Sequence, residues 1–166
     1  MRTAVVIGTL LIGVLRTFAA DTWLSYDEGV AKGKAENKSI LVDFYTDWCH
    51  WCKVMDQKTF GDQAVAAKLK SRFVTVRLNA EDETQTATVQ GQTFNNVQLT
   101  RAYGVTGFPS LAFLEPDGDV ITVIPGYVPP ETFIHILDYI DQRLYEQKMP
   151  FEEFLQKQEE KKKLKR

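Results

Sequence analysis

The chain contains only two cysteines, which stand two residues apart in the segment Trp48-Cys49-His50-Trp51-Cys52-Lys53. The apolar run Ile40 to Tyr45 precedes them and has the β-branched and aromatic residues of a buried strand. A helix-compatible segment, Lys53 to Thr59, follows them. The first thiol therefore lies where a helix begins, and the free N–H groups and helix dipole at that end favour a negative charge. Such a position makes a sulfur reactive by favouring its thiolate.

Other uses of two cysteines fit this sequence poorly. A zinc site normally needs four ligands, and the chain adds only His50 and His135 to the thiols. Covalent haem attachment requires a histidine directly after the second cysteine, where Lys53 stands. A purely structural disulfide stabilises a fold little across so short a loop. We therefore expect a redox-active Cys49–Cys52 pair, with no metal and no other cofactor.

The first 20 residues have the pattern of an export signal. Arg2 provides a short positive region, Ala4 to Leu15 is apolar, and cleavage is expected after Ala19 or Ala20. The alternative is an uncleaved membrane anchor, but the 12 apolar residues fall short of the roughly 20 that span a bilayer. The pattern therefore favours a periplasmic or otherwise exported protein over an anchored one.

Charge and length limit the remaining possibilities. Without residues 1–20 the chain has 18 basic and 22 acidic residues, a formal charge of −4 that offers no basic surface for nucleic acid. Residues 21–148 suit one domain with its own core, and we expect a monomer. Residues 149–166 form a charged tail, expected to be either a solvated helical extension or a disordered end. Contact of this tail with a membrane surface is a further alternative.

Periodicity and turn signals predict an α/β chain that ends in an antiparallel hairpin and a helix. The segment from Asn79 to Asn96 is polar and is expected to be a loop or a hairpin. The other predicted elements are a helix from Tyr26 to about Glu36, a helix from Asp62 to about Lys70, a strand from Phe73 to Leu78, a short helix from Val97 to Tyr103, strands from Ser110 to Leu114 and from Val120 to Ile124, and a helix that begins at Pro129-Pro130.

This order resembles the thioredoxin superfamily over about Trp23 to Lys148. The motifs that carry the resemblance, besides the cysteines, are Val42-Asp43-Phe44-Tyr45, Arg77-Leu78-Asn79, Tyr103 to Pro109 and Gly126. The resemblance implies a thioredoxin fold, with a central mixed β-sheet flanked by helices. The Cys-His-Trp-Cys motif and the segment Ile124-Pro125-Gly126-Tyr127 are also similar to small exported thioredoxin-like proteins and to the C-terminal domain of the periplasmic reductant DsbD.

The sequence departs from cytosolic thioredoxins at three places. His50-Trp51 replaces their Gly-Pro between the cysteines, and Gln57 stands where they have a helix-kinking proline. The segment Asn79–Val97 also lengthens the connection to the proline-containing loop. The resemblance therefore leaves the substrate and the reduction potential open.

Within this resemblance, Cys49 is expected to be the exposed nucleophile and Cys52 the buried thiol that resolves the mixed disulfide. Asp43 is the expected proton acceptor for Cys52, because burial beside sulfur raises the pKa of a carboxyl group. The alternative for Asp43 is a structural pair with Arg77. Arg77 and Lys53 are expected to modulate the site.

A second set of residues is expected to meet the substrate. The Phe108-Pro109 bond resembles the superfamily's cis peptide, which exposes a backbone edge beside the sulfurs; a trans turn is the alternative. Trp48 and Trp51 are expected to form an apolar rim, with simple packing as the alternative for Trp48. His50, when protonated, is expected to stabilise the thiolate.

These expectations together predict a thiol–disulfide oxidoreductase of the bacterial cell envelope that reduces disulfides in cysteine-containing protein substrates. A reductant in that compartment needs a membrane thiol electron carrier of the DsbD type to restore its dithiol. Two alternatives remain. One is a disulfide-donating oxidant or isomerase, and the other is a redox-inert binding module on the same fold.

Overall fold

A computed structural model describes residues 23–164, so the expected signal segment 1–20 lies outside the described residues. The described part contains six α-helices and six strands. In chain order they are α1 (Tyr26–Glu36), β1 (Ile40–Tyr45), α2 (His50–Met55), α3 (Gln63–Arg72), β2 (Val74–Asn79), β3 (Thr86–Val89), β4 (Gln92–Asn95), α4 (Asn96–Ala102), β5 (Ser110–Leu114), β6 (Val120–Pro125), α5 (Pro130–Asp141) and α6 (Phe151–Leu164).

The main sheet has four strands in the order β2-β1-β5-β6. β1 and β2 are parallel, whereas β5 pairs antiparallel with both β1 and β6. The central mixed sheet and the C-terminal hairpin predicted from the sequence are therefore confirmed. β3 and β4 form a separate two-stranded hairpin within the polar segment Asn79 to Asn96. Of the two structures expected for this segment, a loop or a hairpin, the hairpin is therefore correct.

The alternation of side chains along β1 divides the core into two layers. Ile40, Val42 and Phe44 pack in a cluster with residues of α1 and α4. Leu41 packs in the other cluster, with residues of α2, α3 and α5. Because successive residues of a strand point to opposite faces, Asp43 lies on the same face as Leu41. The carboxyl group is thereby directed to the layer that contains the cysteine helix.

The helix after the cysteine motif is longer than expected. It begins at His50 rather than Lys53, because the Cys49 side chain accepts a hydrogen bond from the Cys52 N–H and caps the first turn. It then continues directly into a π-helical turn, Asp56–Phe60. This turn includes Gln57, the position at which cytosolic thioredoxins have proline. Turns of this kind are frequent at functional sites.

The charged tail is helical, and its first turns do not stand free in solvent. Phe151 and Phe154 are three residues apart on one face of α6, and both rings pack against Tyr139 of α5, at 5.4 and 5.8 Å between centroids. Phe154 is buried. The rest of α6 is mostly exposed, as expected for a charged extension. No helix within residues 23–164 combines the length and the apolar character that a membrane span requires.

Candidate active site

Cys49 and Cys52 are joined by a disulfide with an S–S distance of 2.09 Å. Cys49 is the N-cap residue of α2, as predicted, and its Sγ accepts a hydrogen bond of 3.0 Å from the backbone N–H of Cys52. Once the disulfide is reduced, this N–H and the helix dipole stabilise a negative charge on Cys49 Sγ. The local backbone therefore favours the thiolate of the first cysteine.

The burial of Cys49 differs from the sequence-based expectation. In the disulfide form Cys49 is 3% exposed and Cys52 is also 3% exposed, so the prediction of an exposed first cysteine is wrong for this form. The physical reason is that the Cys49 sulfur turns inward to its bond with Cys52 and to the first turn of α2. The neighbouring side chains Trp48 and Trp51 are instead exposed, at 67% and 54%. Position at the helix end, rather than burial, distinguishes the two sulfurs.

Asp43 is a buried carboxyl group with a strongly perturbed acidity. It is 1% exposed, and neither of its side-chain oxygens accepts a hydrogen bond among the described residues. Burial raises its pKa from 3.8 to about 7; the positive charge of Arg77 opposes this shift and the negative charge of Asp56 adds to it. A group with a pKa near neutrality can accept and release a proton at physiological pH. The burial and the raised pKa of Asp43 thus suit a proton acceptor.

Arg77 lies between two carboxyl groups. It is the register partner of Asp43 on β2, and its Nε is 3.2 Å from Asp43 Oδ2. Its terminal nitrogen donates to both carboxylate oxygens of Asp56, at 2.8 Å each. The guanidinium also lies over the rings of Tyr45 and Trp23, at 4.5 and 5.5 Å. The expected pairing of Arg77 with Asp43 is present, but the hydrogen bonds of Arg77 go to Asp56.

Asp56 is a residue of the site that sequence reasoning missed. The signal that could have found it is its spacing of four residues from Cys52, which places both side chains on one face of the helix. Asp56 affects Asp43 in two ways, because it adds a negative charge nearby and draws the guanidinium of Arg77 toward itself.

We expect Asp56→Asn to lower the pKa of Asp43. The substitution removes the repulsive charge and weakens the competing hydrogen bonds, so that Arg77 stabilises the Asp43 carboxylate more strongly. NMR titration of the Asp43 side-chain carboxyl carbon in the oxidised protein measures this change. Asp62→Asn, at the N-cap of α3, is the control and should leave the Asp43 titration unchanged. A raised or unchanged pKa in Asp56→Asn would contradict this electrostatic account.

Trp48 is held at one side of the site by a residue of the polar segment. Its indole N–H points to both carboxylate oxygens of Glu81, at 3.0 Å each. Its ring stands edge-on to Phe108, 6.3 Å between centroids, and the Phe108-Pro109 peptide is cis as predicted. Trp48 is therefore an exposed, oriented side chain rather than core packing. Glu81 was not predicted, because only the fold brings the end of β2 beside the cysteine motif.

Trp51 forms the other side of the site. Its ring is 5.4 Å from that of Tyr127, which follows Gly126, and 5.7 Å from that of His50. His50 and Lys53 are both exposed in the first turns of α2. The predicted residues thus lie on or next to α2, β1, β2 and the cis-proline loop. Tyr127 joins them as an unpredicted neighbour.

The model of the thioredoxin-like domain family matches residues 26–141. The chain belongs to the thioredoxin-like domain family. The resemblance seen in the sequence is therefore confirmed, and the mixed sheet and cis-proline loop described above are those of the thioredoxin fold.

Individual relatives place this thioredoxin-like domain among thiol–disulfide oxidoreductases with a Cys-x-x-Cys pair. The thiol:disulfide interchange protein DsbD of Vibrio cholerae is 31% identical over 116 residues, which are 69% of this chain and 17% of that protein. The chain thus spans about a sixth of the length of the curated relatives it matches. A thioredoxin from Thermus thermophilus is 26% identical, with a TM-score of 0.58 over 71% of this chain and 85% of that one.

The C-terminal domain of Neisseria meningitidis DsbD, solved in its reduced form, has the same fold as this thioredoxin-like domain. Its TM-score is 0.51 over 67% of this chain and 90% of that domain, at 24% identity. This likeness concerns the fold alone. The matched part of this chain therefore has the fold of the C-terminal domain of that protein.

Proposed function

We propose that this protein reduces disulfides in other proteins, in the bacterial cell envelope, through its Cys49/Cys52 dithiol. The observation that carries the proposal is a Cys-x-x-Cys pair capping α2, together with a buried Asp43 whose pKa is about 7 on the neighbouring strand. A nucleophile and a group that can take its partner's proton are the two parts that thiol–disulfide exchange needs. No cofactor is needed besides the disulfide itself, and a monomer is sufficient.

The reaction proceeds in two exchange steps. The Cys49 thiolate attacks one sulfur of the substrate disulfide, forms a mixed disulfide and releases the other substrate sulfur as a thiolate, which takes a proton from solvent. Asp43 then accepts the proton of Cys52, and the Cys52 thiolate attacks Cys49 Sγ. The second substrate sulfur leaves as a thiolate, which takes a proton from solvent, and Asp43 releases to solvent the proton that it took from Cys52. Two electrons pass from the protein to the substrate, and the protein ends with the Cys49–Cys52 disulfide.

The reducing direction and the envelope location rest on the similarity to exported thioredoxin-like proteins and to DsbD. Each cycle oxidises the only two thiols of the chain, so a reductant in an oxidising compartment requires a dithiol donor. We propose a membrane thiol electron carrier of the DsbD type in that role.

Alkylation of free thiols in intact cells tests for this carrier. The Cys49–Cys52 pair should be reduced when the carrier is present and oxidised when the carrier is deleted. A pair that is always oxidised would favour the disulfide-donating alternative.

Insulin reduction by dithiothreitol tests the activity itself. We expect the protein to accelerate precipitation of the insulin B chain, whereas the double variant Cys49→Ser/Cys52→Ser should give the rate of dithiothreitol alone. An equal rate with the native protein and with the double variant would favour a redox-inert binding module.

We expect His50→Pro to lower the reduction potential by tens of millivolts. His50 is exposed next to Cys49, and in its protonated form it stabilises the thiolate and hence the reduced protein. A change of ~30 mV corresponds to about 1.4 kcal/mol for this two-electron couple. Equilibration with glutathione measures the potential, with Lys58→Ala on the π-helical turn as a matched control. An unchanged or raised potential would exclude His50 as a determinant of the potential.

A further inference from the structure

The last turn of α6 is strongly basic, in contrast to the rest of the domain. Residues 21–160 contain 13 basic and 22 acidic residues, a formal charge of −9. Five of residues 161–166 are basic, and they are Lys161, Lys162, Lys163, Lys165 and Arg166. The three consecutive lysines, Lys161 to Lys163, lie within α6 and are called its basic end below. Positive charge is thus concentrated at one place on an otherwise acidic molecule.

The charges of the basic end are not neutralised within the domain. Among residues 23–164, the salt bridge of α6 joins Lys157 to Glu153 at 2.7 Å, and none involves a lysine of the basic end. All three of these lysines are exposed. Leu164, which follows them, is 88% exposed. Exposed lysines beside an exposed apolar side chain are typical of helices that bind at the surface of a bilayer.

α6 runs antiparallel to α5, and this direction determines where the basic end lies. Tyr139 of α5 packs against Phe151, in the first turn of α6. His135, one turn earlier in α5, packs against Phe154, with 6.5 Å between the ring centroids. His135 also lines a depression of ≈ 310 Å³ together with two lysines of the basic end. Later turns of α6 therefore lie beside earlier turns of α5.

The first turn of α5 is close to the cysteine site in the fold. α5 begins at Pro130, three residues after Tyr127, whose ring is 5.4 Å from that of Trp51. The Thr59 hydroxyl donates to the Val128 carbonyl at 2.7 Å, which holds this connection against the turn that continues the cysteine helix. The basic end of α6 is thus directed toward the side of the molecule that carries the cysteines.

The depression beside the basic end provides donors for phosphate oxygens. Lys161 and Lys162 contribute ammonium groups, and Gln158 contributes an amide N–H group. The carboxylate of Glu159 also lines the depression and opposes an anion there. A single phosphate therefore gains little from this depression. A surface that presents many phosphates interacts with all the basic side chains of residues 161–166 at once, and the summed attraction exceeds the opposing charge of Glu159.

We propose that the basic end of α6 docks the protein on a bilayer that contains anionic phospholipids. Each basic residue near such a surface strengthens binding about fivefold, and Leu164 adds apolar surface that enters the interface. The rest of the domain is repelled by the same surface because it is acidic, so the basic end alone approaches the lipid. The docked protein then holds its cysteine side near the membrane. This inference goes beyond the proposed function and does not depend on it.

Sedimentation with sucrose-loaded vesicles tests the proposal. The full chain is mixed with vesicles of phosphatidylcholine alone, or of phosphatidylcholine and phosphatidylglycerol at about two to one, in about 0.05 M salt, where surface charges are weakly screened. We expect the anionic vesicles to bind the protein at least about tenfold more strongly than the neutral ones. The difference should vanish in about 0.5 M salt.

Two triple variants locate the contact. Lys161→Gln/Lys162→Gln/Lys163→Gln should bind anionic vesicles at least about tenfold more weakly than the native protein. The matched control has the same change of charge at α1, which packs on the other face of the sheet from α5. This control, which should bind like the native protein, is Lys32→Gln/Lys34→Gln/Lys38→Gln. Residues 1–20 are identical in all three proteins, so their apolar run contributes equally to every measurement.

Acetylation of lysines, read by mass spectrometry, identifies the partner independently of residues 1–20. Anionic vesicles should protect Lys161 to Lys163 and leave Lys32 and Lys34 reactive. Equal binding to both kinds of vesicle, full binding by the basic-end variant, or no protection would overturn the proposal. Protection by polyglutamate and not by vesicles would also overturn it and would assign the basic end to an acidic protein. Both variants should reduce insulin at the native rate, whereas failure of the native protein to reduce insulin would overturn the proposed function alone.

Discussion

Cys52→Ala should accumulate a long-lived mixed disulfide with its substrate, whereas Cys49→Ala should form none. Cys49 caps α2, where the Cys52 N–H and the helix dipole stabilise its thiolate, so it is the attacking sulfur. Cys52 provides the only thiol in the chain that can release the substrate. Without it the second step stops, and turnover should fall to the uncatalysed rate in both variants. Non-reducing electrophoresis with mass spectrometry of the trapped species measures the outcome.

The equal burial of the two cysteines makes this a discriminating experiment. Both are 3% exposed in the disulfide form, so exposure alone predicts no difference between them. Trapping by Cys49→Ala and not by Cys52→Ala would reverse the assignment. The double variant Cys49→Ala/Cys52→Ala is the control for association without covalent exchange.

Asp43→Asn should stabilise the oxidised protein at pH 8 relative to pH 4. The folded pKa of Asp43 is about 7 and its ordinary value is 3.8, so between these values the folded state binds more protons than the unfolded state. Native stability attributable to Asp43 therefore falls as the pH rises through this window and is constant above it. A pKa shift of about 3 units corresponds to a loss of free energy of unfolding on the order of 4 kcal/mol. Asparagine does not ionise, so the variant does not lose this free energy.

Urea unfolding of both proteins from pH 4 to pH 8 measures this effect. The difference in free energy of unfolding, variant minus native, should increase across the window. Asp47→Asn, an exposed carboxyl group in the loop before Cys49, is the control, and its effect should stay within about 0.5 kcal/mol at every pH. A difference that does not depend on pH would show that Asp43 is ionised like an ordinary surface carboxyl.

The same variant should slow resolution of the mixed disulfide about 100-fold near pH 7, since it removes the proton acceptor.

Much of the fold follows from local sequence patterns. The capping box at Ser25 and Glu28 fixes the start of α1, and the observed helix has the predicted bounds. β1 likewise begins and ends where the apolar run does. Cys49 caps α2 as predicted, but the helix-compatible segment Lys53 to Thr59 left out the first turn from His50, because that turn lies within the cysteine motif itself. The β3–β4 hairpin was ambiguous, since a polar four-residue strand has little periodicity to distinguish it from a loop.

The site was predictable where residues lie close in sequence and less so where the fold brings them together. The cysteines, the acid on β1 and the proline loop each belong to a recognisable local motif. Asp56, Glu81 and Tyr127 come from three different segments, and their roles depend on distances to Arg77, Trp48 and Trp51. Packing, and not local pattern, creates those contacts. Burial raises the pKa of Asp43, and the charges of Arg77 and Asp56 then shift it in opposite directions.

The reduction potential of the Cys49–Cys52 pair tests the central claim most directly. Equilibrating the purified protein with defined ratios of reduced and oxidised glutathione, and counting free thiols by mass after alkylation, gives this value. The account of a protein-disulfide reductant predicts a potential nearer to the roughly −270 mV of thioredoxin than to the roughly −120 mV of the oxidant DsbA. A potential of about −180 mV or higher, in the range of disulfide isomerases and oxidants, would contradict it.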